Sequence, residues 1–207
     1  LDKFDTRIAE AAALGADLVV FPELALNSWG ECPDCAAAHE PCPWHLAQAE
    51  PADGPSCRAI VDMAAAHGVH VIYGFEEAGD VDGVIHNSAS IVGPAGLVGT
   101  YRKLHLGIPL ETNRFTPGDA LPVFDTDLGP IGIQICYDFY MGPELSRVLA
   151  MKGARLLVNP TGRSALPVLG STSNRSPTQG RTRTSSLPSR PTASGRATVR
   201  PSGPVAA

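Results

Sequence analysis

Cys136 closes the apolar run IGIQIC, so it is the last residue before a turn and a helix and not one of the strand's interior positions. A side chain at the carboxyl end of a strand in an α/β sheet points into the crevice where ligands bind. A thiol held on a sharp strand-to-helix turn is presented there as a nucleophile. With an ordinary pKa of about 8.5 it is only a few per cent thiolate at neutral pH, so it needs a base or a positive charge beside it. Glu23 occupies a second strand end, just after DLVVFP, and can take the proton. Charge developing on a substrate oxygen needs a cation. The segment YRKLHLGIPLE supplies Lys103, with a second acid, Glu111, eight residues on. The competing reading is structural throughout: an inert core cysteine, a glutamate capping the segment that follows it, and a solvated hairpin lysine. On the catalytic reading Cys136 alkylates faster than the other four cysteines and loses that advantage when Glu23 is replaced by Gln.

The elements that must position these groups alternate between helix and strand. Phe4, Ile8, Ala11 and Ala12 recur at helical spacing, Gly15 ends the helix, and DLVVF (17–21) follows as a buried strand. A second helix, SCRAIVDMAAAH (56–67), stops at Gly68 and leads into VHVIYGF (69–75). NSASIVG and LVGTYRK, separated by Pro94, Ala95 and Gly96, form an antiparallel hairpin. IGIQIC (131–136) runs into a helix with Pro143 near its first turn and Glu144 at its positive end, and ARLLVNP is the next strand. An i, i+3 pair explains Glu144 and Arg147. The sum is an α/β domain with a mixed sheet.

Composition divides the chain near residue 162. Residues 1–162 hold all 21 acids against nine basic residues, a net charge of −12, whereas residues 163–207 carry seven arginines and no acid, lysine, aromatic, isoleucine or cysteine. Such a segment cannot bury enough apolar surface to offset its ordering entropy, so it reads as disordered. An Arg-rich tail has the charge to bind nucleic acid or an acidic partner. Its uniform bias toward residues with G/C-rich codons fits a shifted reading frame better, and neither a nucleic-acid partner nor a membrane partner is expected. The start of the chain lacks the basic and apolar segments of a secretory signal, and nowhere do about 18 apolar residues run together. Five cysteines without an export signal argue for reduced thiols in the cytoplasm.

The blocks FPELAL, YRKLHL followed by Glu111, and ICYDFYMGPELSR, in the order Glu, Lys, Cys, resemble the nitrilase superfamily of carbon-nitrogen hydrolases. The resemblance covers nearly all of residues 1–162. It implies Glu23 as general base, Lys103 as stabiliser of the tetrahedral intermediate, Cys136 as nucleophile, Glu111 as a supporting acid, and the backbone N–H of Tyr137 as a second oxyanion donor. It also implies an αββα sandwich that pairs into homo-oligomers, acts on a small-molecule amide or nitrile, and needs no metal or organic cofactor. Cys-Tyr-Asp at the nucleophile is similar to the amidase and carbamoylase branches, since nitrilases usually carry Trp after the cysteine. The function implied is hydrolysis of an amide or carbamoyl amide through a thioester. The alternatives are a nitrile substrate, or an inactive fragment limited to binding. Against the family pattern the sandwich is incomplete: the first strand is expected before residue 1, and further strands and a helix are expected where the Arg-rich tail stands.

A rival motif, CPDCAAAHEPCPWH, offers Cys32, Cys35, His39, Cys42 and His45 as zinc ligands. Its spacing matches no known zinc module, and it lies in the loop after Glu23, where the family places substrate-contacting insertions. No metal is therefore expected there. Trp29, this loop and the stretch near Tyr140 are expected to line the pocket. His105, two residues past Lys103, either orients that lysine or is a surface histidine.

Overall fold

In the computed structural model, which describes residues 1–27 and 41–162, one strand divides the core in two. Its elements in chain order are α1 (Asp2–Ala13), β1 (Leu18–Val20), α2 (Pro43–Gln48), α3 (Pro55–His67), β2 (His70–Ala78), β3 (Ile85–Gly93) and β4 (Gly96–Arg102). They continue with α4 (Pro109–Thr112), β5 (Val123–Phe124), β6 (Ile131–Ile133), α5 (Tyr137–Tyr140), α6 (Glu144–Met151) and β7 (Leu156–Val158). Because strand side chains alternate faces, β2 sends Val71, Tyr73 and Phe75 toward Phe4 and Ile8 of α1 and Ile60 and Ala64 of α3. It sends Ile72 the other way, where Ala89, Ile91 and Tyr101 meet Phe124, Ile131, Ile133 and Ile135.

The first sheet has the order β1-β2-β3-β4, with β1 parallel to β2 and the other pairs antiparallel. The second has the order β5-β6-β7, antiparallel and then parallel. Helix α6 lies on the outer side of that second sheet. A side chain at Gly132 would stand 3.0 Å from Leu149 of α6, so the glycine lets helix and strand approach. Helices, sheet, sheet and helix stack in that order, which is the αββα sandwich with mixed sheets that the sequence led us to expect.

Three details differ from the sequence reading. DLVVF is not a buried strand: β1 is the edge of its sheet, and Val20 is 43 % exposed. At the edge of the second sheet, Leu156 and Leu157 of β7 are exposed as well. The run IGIQIC is regular strand only to Ile133, yet Gln134 N–H still donates to the Val158 carbonyl at 3.0 Å and Cys136 N–H to that of Pro160 at 2.9 Å. The ladder therefore carries on as far as Cys136. Finally, among the described residues no ion pair joins Glu144 to Arg147; the Glu144 carboxylate folds back over Gly142 instead.

Candidate active site

Glu23, Lys103, Glu111 and Cys136 converge from four separate segments. Glu23 follows β1 on a turn in which Leu24 takes φ 52°, and that turn is held against β2 by Leu26 N–H donating to the Gly74 carbonyl at 3.1 Å. The approach is close enough to require glycine at 74. A Cβ there would meet the Leu24 backbone nitrogen and stand 2.9 Å from Glu23 Cα, and backbone cannot swing aside as a side chain can. Gly74→Ala is therefore expected to destabilise the chain by about 1–3 kcal/mol in urea unfolding. An unchanged midpoint would show that the Glu23 turn moves freely.

Lys103 lies just past β4, 1 % exposed, and its Nζ donates to Glu23 Oε1 at 2.7 Å and to Glu111 Oε1 at 2.5 Å. Glu111 is on the short helix α4, and its second oxygen accepts the Gly107 N–H at 2.6 Å. The second oxygen of Glu23 accepts the Gly162 N–H at 3.0 Å. Burial by itself would lower the lysine's pKa, but the two carboxylates reverse this and hold it above the ordinary lysine value. The ammonium is therefore charged at every pH near neutrality, and with two carboxylates the cluster carries one net negative charge.

Cys136 is half-buried and adopts φ 45°, ψ −101°, a conformation that side chains rarely take. Its thiol lies within electrostatic reach of Glu23, Lys103 and Glu111. Desolvation and then the negative charge of Glu23 push the thiol up to about 11, against a smaller opposing pull from Lys103. The two largest influences both favour the protonated thiol, opposite in sign to the activation by Glu23 expected from the sequence. Tyr137 begins α5 directly after it, and the N–H of a first helical residue has no acceptor within its own helix.

The sharp turn is fastened by Asp138. This fully buried carboxylate accepts Ile135 N–H at 3.1 Å and Tyr101 O–H at 2.7 Å through one oxygen, and His105 N–H at 2.8 Å through the other. It thus ties the nucleophile's turn to the segment that carries Lys103. His105 does not orient the lysine; its Nδ1 lies 3.1 Å from Asp138. In the sequence Asp138 was indistinguishable from any acid in a helix's first turn. Asn87 was missed as well: its Nδ2 donates to Glu23 at 2.8 Å and to Glu111 at 3.0 Å. Its strand also carries His86, Ser88 and Ser90, so one more polar residue there gave no distinguishing signal.

Trp29, Cys32, Cys35 and His39 lie outside the described residues. Of the remaining zinc candidates, His45 is buried with Nδ1 against the Glu76 carboxylate at 2.9 Å, and Cys42 is buried too. Among the described residues no group of three His, Cys, Asp or Glu side chains could hold a metal ion. Tyr140 and Met141 are exposed beside the turn.

The carbon-nitrogen hydrolase family matches residues 1–188, which runs past the compositional break near residue 162. The chain belongs to the carbon-nitrogen hydrolase family. Within it, this carbon-nitrogen hydrolase homologue is 38 % identical over 160 residues to a protein of Pyrococcus abyssi named nitrilase, covering 76 % of this chain and 56 % of that one. It is 32 % identical over 171 residues to an omega-amidase of Danio rerio, covering 77 % and 56 %. A carbon-nitrogen hydrolase from Helicobacter pylori G27 has a similar structure, with a TM-score of 0.63 at 26 % identity, covering 77 % of this chain and 54 % of that one. The chain spans about half the length of the curated relatives it matches. No helix of the described residues is long and apolar enough to cross a membrane.

Proposed function

We propose that the chain carries the hydrolytic site of an amidase, releasing ammonia from a small amide or carbamoyl amide through a cysteine thioester. The observation that carries this reading is that one buried ammonium, Lys103, bridges two carboxylates, with the Cys136 thiol within electrostatic reach of all three.

The chemistry runs on one proton and one displaced charge. As Cys136 Sγ attacks the amide carbon, its proton passes to Glu23, and the electron pair of the C=O bond moves onto oxygen. Lys103 and the Tyr137 N–H hold that oxyanion. Glu23 starts as a carboxylate and ends protonated, so negative charge leaves one neighbour of Lys103 Nζ as it appears on another, and the net charge of the cluster is unchanged. Glu23 then gives the proton to the departing nitrogen, the C–N bond breaks and ammonia leaves. Water, losing a proton to Glu23, adds to the thioester. The C–S bond breaks, the acid departs and the sulfur regains its proton. Glu111 keeps Lys103 in place throughout.

Tyr137, where nitrilases usually have Trp, favours an amide over a nitrile. The likeness to a protein named nitrilase keeps the nitrile as the second reading. Cys57 and Cys136 form no disulfide among the described residues, which supports a reducing, cytoplasmic setting. The exposed apolar side chains of α5 and α6, Phe139, Tyr140, Val148 and Met151, support assembly into a homo-oligomer. The change in composition after residue 162 supports a hydrolase domain over 1–162 and a separate segment over 163–207.

The test is a panel of ω-amides, carbamoyl amines, short aliphatic amides and nitriles, scored by ammonia release with the intact protein's mass followed in the same reaction. Wild-type protein is expected to gain the mass of the acyl group on Cys136, and Cys136→Ala to release no ammonia. Turnover that survives in Cys136→Ala would end the reading. Binding without ammonia release would reduce the chain to a binding fragment.

A further inference from the structure

Asn87 sits between the two carboxylates of the site, although no motif in the sequence marks it. It stands on β3, 1 % exposed, and its Nδ2 donates to Glu23 Oε1 at 2.8 Å and to Glu111 Oε1 at 3.0 Å. Those are the same two oxygens that receive the Lys103 ammonium. Two donors and two acceptors therefore close a ring. The main chain braces it across the two donor residues, since Lys103 N–H donates to the Asn87 carbonyl at 2.8 Å. Charge sets the orientation of the amide: turned over, its oxygen would face two carboxylates with nothing to donate.

The groups around it make the residue type specific. Glu23, Glu111 and Lys103 are in direct contact, and Cys136 is reached through Glu23. Glu76 is its cross-strand neighbour on β2, with its own carboxylate engaged by His45 and Arg114. Two carboxylates drawn toward a single ammonium repel one another, and a neutral N–H pair between them offsets that repulsion without adding a charge that would compete with Lys103.

We propose that Asn87 is a positioning residue, whose side-chain amide holds Glu23 and Glu111 side by side around Lys103 and keeps Glu23 aimed at the Cys136 thiol. The inference rests on the amidase reading for its catalytic consequence, but the contact itself is testable without turnover.

The test uses the full chain as Asn87→Leu and Asn87→Asp. Leucine removes both donors at similar volume, and it is expected to lower kcat by about 10²-fold with KM little changed. Aspartate places a third carboxyl among like charges, so in the folded protein it keeps a proton that it would lose at lower pH when unfolded. Protonated, its O–H donates as the amide did; ionised, it repels both neighbours. A raised folded pKa means stability present at low pH and lost as pH rises. The gap in melting temperature between Asn87→Asp and wild type is therefore expected to widen from about pH 5 to about pH 8, with kcat falling about tenfold over the same range relative to wild type. Burial alone raises an aspartate's pKa too, so the widening counts for the contact only where it exceeds that of Ser90→Asp, an equally buried position on the same strand whose hydroxyl meets Thr100 and no carboxylate.

A gap that widens no more than that of Ser90→Asp, or an Asn87→Leu variant with wild-type kcat, would overturn the proposal. If wild-type protein releases no ammonia from any compound, the amidase reading fails by itself. The melting comparison then decides Asn87 alone, a gap widening beyond that of Ser90→Asp upholding the contact and any smaller change removing it.

Discussion

Glu23→Gln is expected to move two measurements in opposite directions: hydrolysis falls by about 10²–10⁴-fold while alkylation of Cys136 by iodoacetamide speeds up. The sign of the second effect comes from the site's electrostatics. Burial first, and then the Glu23 charge, push the thiol up to about 11, so at pH 8 little of the sulfur is ionised. Glutamine keeps the shape and removes the charge. The thiol then falls toward its ordinary value, the thiolate fraction at pH 8 grows, and alkylation grows with it. Hydrolysis is lost because no base remains to take the thiol's proton during attack, to hand it to the leaving nitrogen, or to activate water. The check is mass spectrometry of Cys136 labelling against time at fixed pH, beside an ammonia assay. Labelling that slows in step with hydrolysis would mean that Glu23 already ionises the thiol in the resting site, and the proton inventory given above would be wrong.

Lys103→Met is expected to be the most damaging single change to both stability and chemistry. The ammonium, Glu23 and Glu111 are all at most 2 % exposed, so removing the cation leaves two buried like charges facing each other. Breaking one side of a buried ion pair costs about 3–5 kcal/mol. Urea unfolding of the variant and wild type at about pH 5 and pH 8 reads this loss directly. Turnover should fall by about 10²–10³-fold or more even at the acid end, because the oxyanion loses its cation. A variant as stable as wild type at both pH values would show that the carboxylates do not depend on the lysine.

Glu23, Lys103 and Cys136 were legible as candidates because each sits where a strand stops, and strand ends are marked in sequence by the switch from apolar to turn residues. Glu23 after DLVVF and Cys136 after IGIQI are of this kind. Glu111 needed the family pattern, since an acid in a loop has no local signature. Asn87 and Asp138 were not legible because their importance is made by partners far along the chain: Glu23 lies 64 residues from Asn87, and Tyr101 lies 37 from Asp138. The misjudged burial of β1 has a similar cause. An apolar run announces that it can be covered, but the neighbours that would cover it are a property of sheet order, and β1 has only β2 beside it. Strand β5, with two residues, is too short to show a period at all.

Leu24 and Cys136 are the only non-glycine residues among those described with positive φ, one next to Glu23 and the other the proposed nucleophile. Backbone of this kind costs about 1–3 kcal/mol per residue. Set against a typical domain stability of about 5–15 kcal/mol, the two turns make the protein less durable than its fold would otherwise allow. Glycine would relieve both, but at 136 it would remove the sulfur. Any lineage or laboratory selection for thermal endurance therefore meets its constraint at the same two residues, and it must find its gains in the helices and the sheet edges, away from the turns that present the base and the thiol.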